Sequence, residues 1–597
     1  MDEKDSTTTI NLPTSSDQIL EKSTKGATFL MLGQLFTKLI TFFLNSLLVR
    51  FLSPRIFGIT AFLEFIVNTV LFFSREAIRL STLRITEDHT TSSVEKTKNS
   101  QILQTAVNFA YIPFVIGVPL SIVLTTWQYK NINGYFINLP FFQVSILLIW
   151  ISIIVELLSE PFFIINQFML NYSSRSRIES LAITMGCITN FIIVVSFEKN
   201  WWNPILKSMI HHNNELMDQE EFMEVSREGI AILAFAVGKL VHSLILLLCY
   251  YWDYLMNFHE TKTFSLKLTK IYNENKSTMT KNYYYFQNDI LEHFKKVYFQ
   301  LCFKHLLTEG DKLIINSLCT VEEQGIYSLL SNYGSLVTRL LFAPIEESLR
   351  LFLARLLSNR TAKNLKLSMQ VLINLTKFYF YLSLLIVIFG PVNSSFLLQF
   401  LIGSKWSTTS VLDTIRVYCF YIPFLSLNGI FEAFFQSTAT GDQILKHSYF
   451  MMVFSGVFLL NCWILIEFLN LSINGLIYGN IFNMILRITY CSWFIINFYK
   501  KLYNSEENIS TSSMKDSTLV KDKGSIFVNF RNFRVVIIVG LCISTFNWIM
   551  IGHVKNFHQL FINIVLALIL FITILLQERT ILKGLLRRRK VDESKEV

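Results

Sequence analysis

Six cations stand inside or at the ends of long apolar stretches of the chain: Lys38, Arg75, Arg79, Lys312, Arg339 and Arg350. A charge among apolar neighbours is costly, so it implies an anion partner, either a bound ligand or a carboxylate of the same chain. Guanidinium forks suit carboxylate and phosphate, which accept two parallel hydrogen bonds. Glu76 with Arg79, and Glu347 with Arg350, are spaced i,i+3 and can also close on themselves as helix-end ion pairs. Lys38 and Arg339 lie deeper, where an unpaired charge is usually functional. A second set, Asn45, Asn332 and Asn428 with Glu160 and Glu432, offers amides and carboxylates that hydrogen-bond hydroxyl groups. Duller readings stand beside these. Glu309 and Asp311 neutralise Lys304 and Lys312 nearby, Glu160 before Pro161 fits the cap of a broken helix, and Pro161, Pro344 and Pro423 read as kinks. His211-His212 sits in a polar loop with no further ligands at metal spacing.

The elements that position these residues follow from composition. Of 597 residues, 52% are hydrophobic and 16% charged, against about 25% charged in a soluble globular protein. The apolar residues fall in blocks of about 20, long enough to cross about 30 Å of hydrocarbon. Candidate spans run over 27–49, 56–74, 105–126, 143–168, 178–197 and 229–255, then 298–319, 325–344, 370–391, 411–436, 448–468 and 474–498, with a final pair at 533–551 and 557–577. That is an all-α polytopic membrane protein of about fourteen transmembrane helices. The polar N-terminus lacks a signal-peptide pattern, so the first span serves as its own targeting segment. Eight cysteines within or beside apolar segments, without CxxC spacing, read as small buried side chains.

Charge orients the spans. Of the 53 Lys and Arg, roughly two thirds fall in tails and alternate loops on one side, which places both termini in the cytosol. This asymmetry accounts for most of the net charge of +10 and does not indicate nucleic acid. The run Arg587-Arg588-Arg589-Lys590 either stops the last helix or touches anionic head groups.

The chain also repeats itself. Glu76, Arg79, Leu80 and Arg84 meet Glu347, Arg350, Leu351 and Arg355 at one constant offset, each stretch ending the second span of its series. Gly58-Ile59 meets Gly325-Ile326, and Glu160-Pro161-Phe162-Phe163 meets Glu432-Ala433-Phe434-Phe435 in the fourth spans. Two six-helix lobes of equal orientation follow, pseudo-symmetric about the membrane normal, with a cavity between them. The expected division is a cytosolic tail over 1–26, lobes over 27–255 and 298–498 joined by a cytosolic linker at 256–297, a cytosolic loop at 499–532, the terminal pair at 533–577 and a basic cytosolic tail at 578–597.

Four segments carry a resemblance: Arg75-Glu76-Ala77, Val155-Glu156-Leu157-Leu158-Ser159-Glu160-Pro161-Phe162, Leu306-Leu307-Thr308-Glu309-Gly310 and Pro344-Ile345-Glu346-Glu347-Ser348. With them the chain resembles the eukaryotic Rft family of dolichol-linked oligosaccharide translocation proteins, from about Gln18 to the last span and most closely its yeast members. Divergent stretches at 85–100, 198–228, 256–282 and 499–525 should be loops. The resemblance implies the flippase-like fold of the multidrug, oligosaccharidyl-lipid and polysaccharide exporter superfamily. It further implies the endoplasmic reticulum membrane, protein N-glycosylation, no cofactor, and a heptasaccharide of five mannoses and two N-acetylglucosamines on diphosphodolichol as partner. For that task Lys38, Arg75, Arg79, Arg339 and Arg350 are the candidate diphosphate contacts. Asn45, Glu160, Asn332, Asn428 and Glu432 are the candidates for sugar binding or gating.

Other classes fit less well. A glycosyltransferase using a dolichol-phosphate sugar needs a large first lumenal loop with carboxylates, and that loop is about Arg50–Arg55. No GxxxxGK[ST] loop is present to hold ATP, since Gly238-Lys239 lacks the partner glycine. An ion-coupled exporter shares the expected fold. A non-transporting factor in assembly of the lipid-linked oligosaccharide needs the same binding groups as a carrier.

Overall fold

Apolar blocks of membrane-spanning length must satisfy their backbone groups internally, and a helix does so within one segment. The computed structural model describes residues 37, 39–82, 95–132, 134–169, 171–199, 219–257, 265–274, 281–308, 315, 318–338, 342–357, 362–403, 406, 410–510 and 533–579. Among these, eleven helices are long and apolar enough to cross a membrane. The expected spans 27–49, 298–319 and 325–344 lie partly outside the described residues. Two compact units divide the chain, residues 1–312 and 313–597.

The first unit begins with α1 (Leu39–Val49) and α2 (Pro54–Thr82). Pro54 occupies the first turn of α2, where its missing N–H is no loss. There follow α3 (Glu95–Phe109), α4 (Ile112–Asn131), the single turn α5 (Gly134–Ile137), α6 (Phe142–Leu158), α7 (Glu160–Phe168), α8 (Tyr172–Glu198) and the long α9 (Gln219–Asn257). A two-stranded antiparallel hairpin, β1 (Ile271–Glu274) and β2 (Lys281–Tyr284), precedes α10 (Asn288–Thr308). Helix α9 packs along α6 and α8. Gly186 and Gly238 let α8 and α9 touch backbone to backbone, since a Cβ on either would lie 2.8 or 2.9 Å from the other's carbonyl oxygen. Small residues at such crossings replace the hydrophobic drive that helices lack inside lipid. Ile78 of α2, Phe109 of α3, Phe163 of α7, Tyr250 of α9 and Phe294 of α10 meet in one buried core.

The second unit contains α11 (Val321–Val337), α12 (Ala343–Leu356), α13 (Ala362–Ile402), α14 (Val411–Thr438), α15 (Gly441–Trp463) closing in a π-helical turn at Ile464–Phe468, α16 (Ser472–Ser510), and the terminal pair α17 (Phe533–Met550) and α18 (Phe557–Gln577). Helix α14 packs on α12, α13 and α16. The terminal pair packs on α13 through Tyr381, Ile388, Phe533, Val536 and Leu570. Buried Asn563 donates to Asn393 of α13 at 3.1 Å.

Several expected loops are folded. Helices α3, α9 and α16 each continue into 85–100, 198–228 and 499–525, and the linker at 256–297 holds the hairpin and the start of α10. Hydropathy marks only the apolar part of a helix, whereas α3 and α9 begin in polar turns, 95–100 and 219–228. The hairpin is held down by side chains of α3 and by Tyr111, the residue before α4. Asn108 donates to the carbonyls of Thr269 at 2.8 Å and Tyr285 at 2.9 Å, Gln104 spans the Ser265 N–H and the Lys267 carbonyl, and Tyr111 donates to Leu266 O. No turn signal in the linker sequence could show a fold imposed by residues 160 positions away, since |i−j| is 161 for the Asn108–Thr269 bond.

Candidate functional site

Arg75 and Arg79 lie one turn apart on α2 and so point from the same helix face. Opposite them, Glu156 near the end of α6 and Glu160 at the start of α7 are also one turn apart, carried across a junction at Ser159, whose hydroxyl donates to the Glu156 carbonyl at 2.7 Å. Pro161 in the first turn of α7 needs no hydrogen-bond partner for its nitrogen, which lets the helix restart there. Two arginines thus face two glutamates. Arg75 Nη1 lies 2.7 Å from Glu156 Oε1 and 3.5 Å from Glu160 Oε1. Arg79 grips Glu160 with both arms of its fork, Nε to Oε2 at 3.0 Å and Nη2 to Oε1. The Glu160 side chain is fully buried. Arg79 also rests its guanidinium 3.5 Å from the centroid of Phe163, one turn along α7, and Arg175 of α8 lies 4.3 Å from the same ring.

Helix α9 completes the cluster. His242 Nδ1 is 3.8 Å from Glu156 Oε2, Ser243 Oγ donates to that oxygen at 3.4 Å, and Lys239 pairs with Glu64 of α2 at 3.0 Å. A chain of charge therefore runs along α2 from Glu64 to Arg79, wrapped by α6, α7 and α9. In a low-dielectric setting such a chain holds only if each member is paired, because a stranded charge is far more costly than the pair. Chemically it offers forked cations whose present partners are carboxylates, the anion class that phosphate most resembles.

The second unit carries the matching stretches differently. Arg350 of α12 pairs with Glu347, and its Nη1 donates to Gln436 of α14 at 3.1 Å. Gln436 donates to Glu432 at 3.1 Å, and Asn428 donates to the other Glu432 oxygen at 3.2 Å. Arg350 thus reaches Glu432 through an amide where Arg79 reaches Glu160 directly. The aromatic three residues on is matched as well: Phe435 receives His447 of α15, ring centroids 4.4 Å apart, as Phe163 receives Arg175. The repeat read in the sequence thus recurs in part as side-chain contacts: the aromatic neighbour is matched, whereas the direct ion pair of the first unit is replaced by an amide relay in the second.

The remaining candidates scatter. Asn45 on α1 and Asn332 on α11 are exposed, and Asn428 is buried. Lys38, Lys312 and Arg339 lie outside the described residues, as do Glu309 and Asp311. Sequence reading did not place Glu156, Lys239 or His242 among the candidate site residues. Glu156 was legible as the residue one turn before Glu160, and Lys239 as a charge within an apolar span. His242 and its partner Glu156 are joined only by the packing of α9 on α6. Among the described residues no three His, Cys, Asp or Glu side chains are placed to hold a metal ion together.

Comparison with known proteins gives this geometry a context. The family model described as "Rft protein" matches residues 22–588. The chain is 63% identical to the Man(5)GlcNAc(2)-PP-dolichol translocation protein RFT1 of Saccharomyces cerevisiae, covering 98% of this chain and 99% of that relative. It is 59% identical to the protein of the same name from Candida glabrata, over 98% of this chain and 100% of that one. Among solved structures, the lipid II flippase MurJ in an inward closed conformation superposes with a TM-score of 0.50 at 12% identity, covering 93% of this chain and 99% of that chain. That likeness shows the fold, the helical membrane-protein architecture expected from the spans.

Proposed function

The chain belongs to the Rft protein family, and on that premise we propose that it moves a lipid-linked oligosaccharide, five mannoses on chitobiosyl-diphosphodolichol, from the cytosolic to the lumenal leaflet of the endoplasmic reticulum for protein N-glycosylation. The observation that carries this reading is the 63% identity, end to end, with a relative named as the translocation protein of that lipid. The step is transfer, not covalent chemistry. A diphosphate and seven sugars cannot cross hydrocarbon unaided, because each charge and each unpaired hydroxyl pays its desolvation cost. A protein lowers that barrier by offering cations and hydrogen-bonding groups while the polyprenyl tail stays in lipid.

Arg75, Arg79 and Arg350 fit the diphosphate by chemistry, together with Lys38 and Arg339. In the paired state described above, Arg79 would have to exchange the Glu160 carboxylate for phosphate, a swap of one bidentate acceptor for another. Asn45, Asn332 and Asn428, with Glu160 and Glu432, suit sugar hydroxyls. The rest of the assignment is a division into six, six and two spans, both termini in the cytosol, and lobes related by a half turn about the membrane normal. Protease protection of tagged termini in sealed microsomes tests the orientation, and opposite sides for the two termini would refute it.

Transport itself is tested with the purified protein in liposomes containing the authentic lipid-linked heptasaccharide. Exchange between leaflets should exceed that of protein-free liposomes and should depend on the diphosphate. Binding of the lipid without exchange would assign the protein instead to delivery or organisation of the lipid during its assembly.

A further inference from the structure

The two units differ by one positive charge at corresponding places. On the offset that aligns Glu76 with Glu347, Arg75 of the first unit corresponds to Glu346 of the second. On the offset that aligns Glu160 with Glu432, Glu156 corresponds to Asn428. The first unit thus sets two arginines against three glutamates, Glu76, Glu156 and Glu160. The second sets one arginine, Arg350, against Glu346, Glu347 and Glu432, and that arginine is paired with Glu347.

Packing brings the uncompensated acids together. The Glu346 carboxylate lies so close over Gly429 of α14 that a Cβ there would overlap it. Glu432 follows Gly429 by three residues and Asn428 precedes Glu432 by four, so all three share one face of α14.

Two neutral oxygens at the same place lack partners. Asn428 is 7% exposed, and while its nitrogen is held by Glu432, its Oδ1 has no hydrogen-bond partner among the described residues. Tyr379 of α13 is fully buried with its ring centroid 5.0 Å from that of Phe342, one turn before Glu346, and its hydroxyl likewise has none. Orphaned buried oxygens next to two carboxylates call for a group that accepts several oxygen ligands at once. A proton on one carboxyl would serve one acceptor only, and the missing charge is single, which argues against a divalent ion.

We propose that Glu346, Glu432, Asn428 Oδ1 and the Tyr379 hydroxyl form a binding site for one alkali-metal cation, which stands in the second unit where the Arg75 guanidinium stands in the first. The inference rests on the contacts within the second unit and not on the identity of the transported lipid.

The test uses the full-length protein in phosphatidylcholine nanodiscs, with NaCl or KCl titrated against choline chloride at constant ionic strength. Choline is too large for the site and serves as the reference. Wild type should show a saturable rise in Tm with Na⁺ or K⁺, about 1–3 °C at ten times Kd. Glu346→Gln and Glu432→Gln should lose that response, while Glu179→Gln in the first unit keeps it. Should Glu346→Gln fail to fold, Glu346→Lys supplies a fixed cation in place of the mobile one and should melt at one temperature in all three salts. Identical melting of wild type in the three salts, a response to pH without one to Na⁺ or K⁺, or an undiminished response in Glu346→Lys would each overturn the proposal.

Discussion

Arg79 and Glu160 are joined by both arms of the guanidinium fork, and the guanidinium carbon lies 3.5 Å from the ring centroid of Phe163, on the same helix as the glutamate. One side chain of α2 is therefore held by both a carboxylate and a ring of α7. The pair fastens α2 to α7 at the point where the α6–α7 helix restarts, so any function of Arg79 is exercised from a rigid base.

Loss of half of this pair should be costly. Arg79→Gln leaves the fully buried Glu160 with Arg75 alone, and removing one partner of a buried ion pair typically destabilises by about 3–5 kcal/mol. Adding Glu160→Gln replaces the stranded charge with a neutral amide and should recover a large part of the loss. Thermal unfolding of the purified variants measures both, and a double variant no more stable than Arg79→Gln would show that the pairing is not what matters.

Arg350 stands in contrast, with side-chain exposures of 42% for it and 35% for Glu347. Screening by solvent leaves such a pair worth about 0–1 kcal/mol. Arg350→Gln should thus accumulate at the wild-type level. If Arg350 meets the diphosphate as proposed, cells relying on the variant should under-glycosylate a secreted reporter. Adding Arg79→Gln should deepen the defect in the fraction of protein that folds. Normal glycosylation at normal abundance would return Arg350 to the role of a helix-end ion pair.

His553, in the turn between α17 and α18, receives Arg416 Nη1 of α14 at 3.0 Å, and Arg416 also pairs with Asp413 at 3.0 Å. The guanidinium can only donate, so the imidazole nitrogen accepts and the ring is neutral. Partial burial and then the charge of Arg416 push the His553 pKa below its ordinary value, with Lys555 acting the same way and Asp413 against them. A depressed folded-state pKa stabilises above the unfolded value of about 6.5, and that contribution is lost as pH falls through the folded value. Tm should therefore hold from about pH 8 to 7 and decline below about 6.5. His553→Gln, which still accepts a hydrogen bond but does not titrate, should decline less, and equal declines would remove His553 as the cause.

Much of the fold was legible because lipid imposes a simple rule on length and polarity. The expected span 557–577 coincides with α18 (Phe557–Gln577), and 178–197 lies inside α8. The break at Ser159 was visible only as Glu160-Pro161, and the single apolar block 143–168 is two helices. Within the site, Arg79 and Glu160 stood out separately, one as a cation and the other as an acid. Their pairing was not legible, since only the packing of α2 on α7 brings residues 81 positions apart together. The repeat held more than was drawn from it. Aligning Arg75 with Glu346 shows the charge difference between the units without coordinates, but its meaning depends on which oxygens lie beside Glu346.

The linker offers the last prediction. Asn108 is fully buried and uses both ends of its amide, donating to Thr269 and Tyr285 while its oxygen accepts from Gln104 and from the Thr269 N–H. Lys267 and Lys270 are exposed on the segment so held, at positions trypsin would cut if the backbone could leave its bonds. Each buried hydrogen bond contributes about 0.5–1.5 kcal/mol, so the clamp as a whole opens rarely while the strands alone would open often. Gln104→Ala with Asn108→Ala should therefore speed tryptic cleavage after Lys267 and Lys270 severalfold, and should also lower Tm, because the carbonyls of Thr269 and Tyr285 lose their donors. Asn108→Asp, which keeps the acceptor but loses both donors to the carbonyls, should move cleavage in the same direction. Unchanged cleavage in both variants would mean that the apolar contacts of Leu266 and Phe286 with the first unit's core, rather than the amides, hold the linker in place.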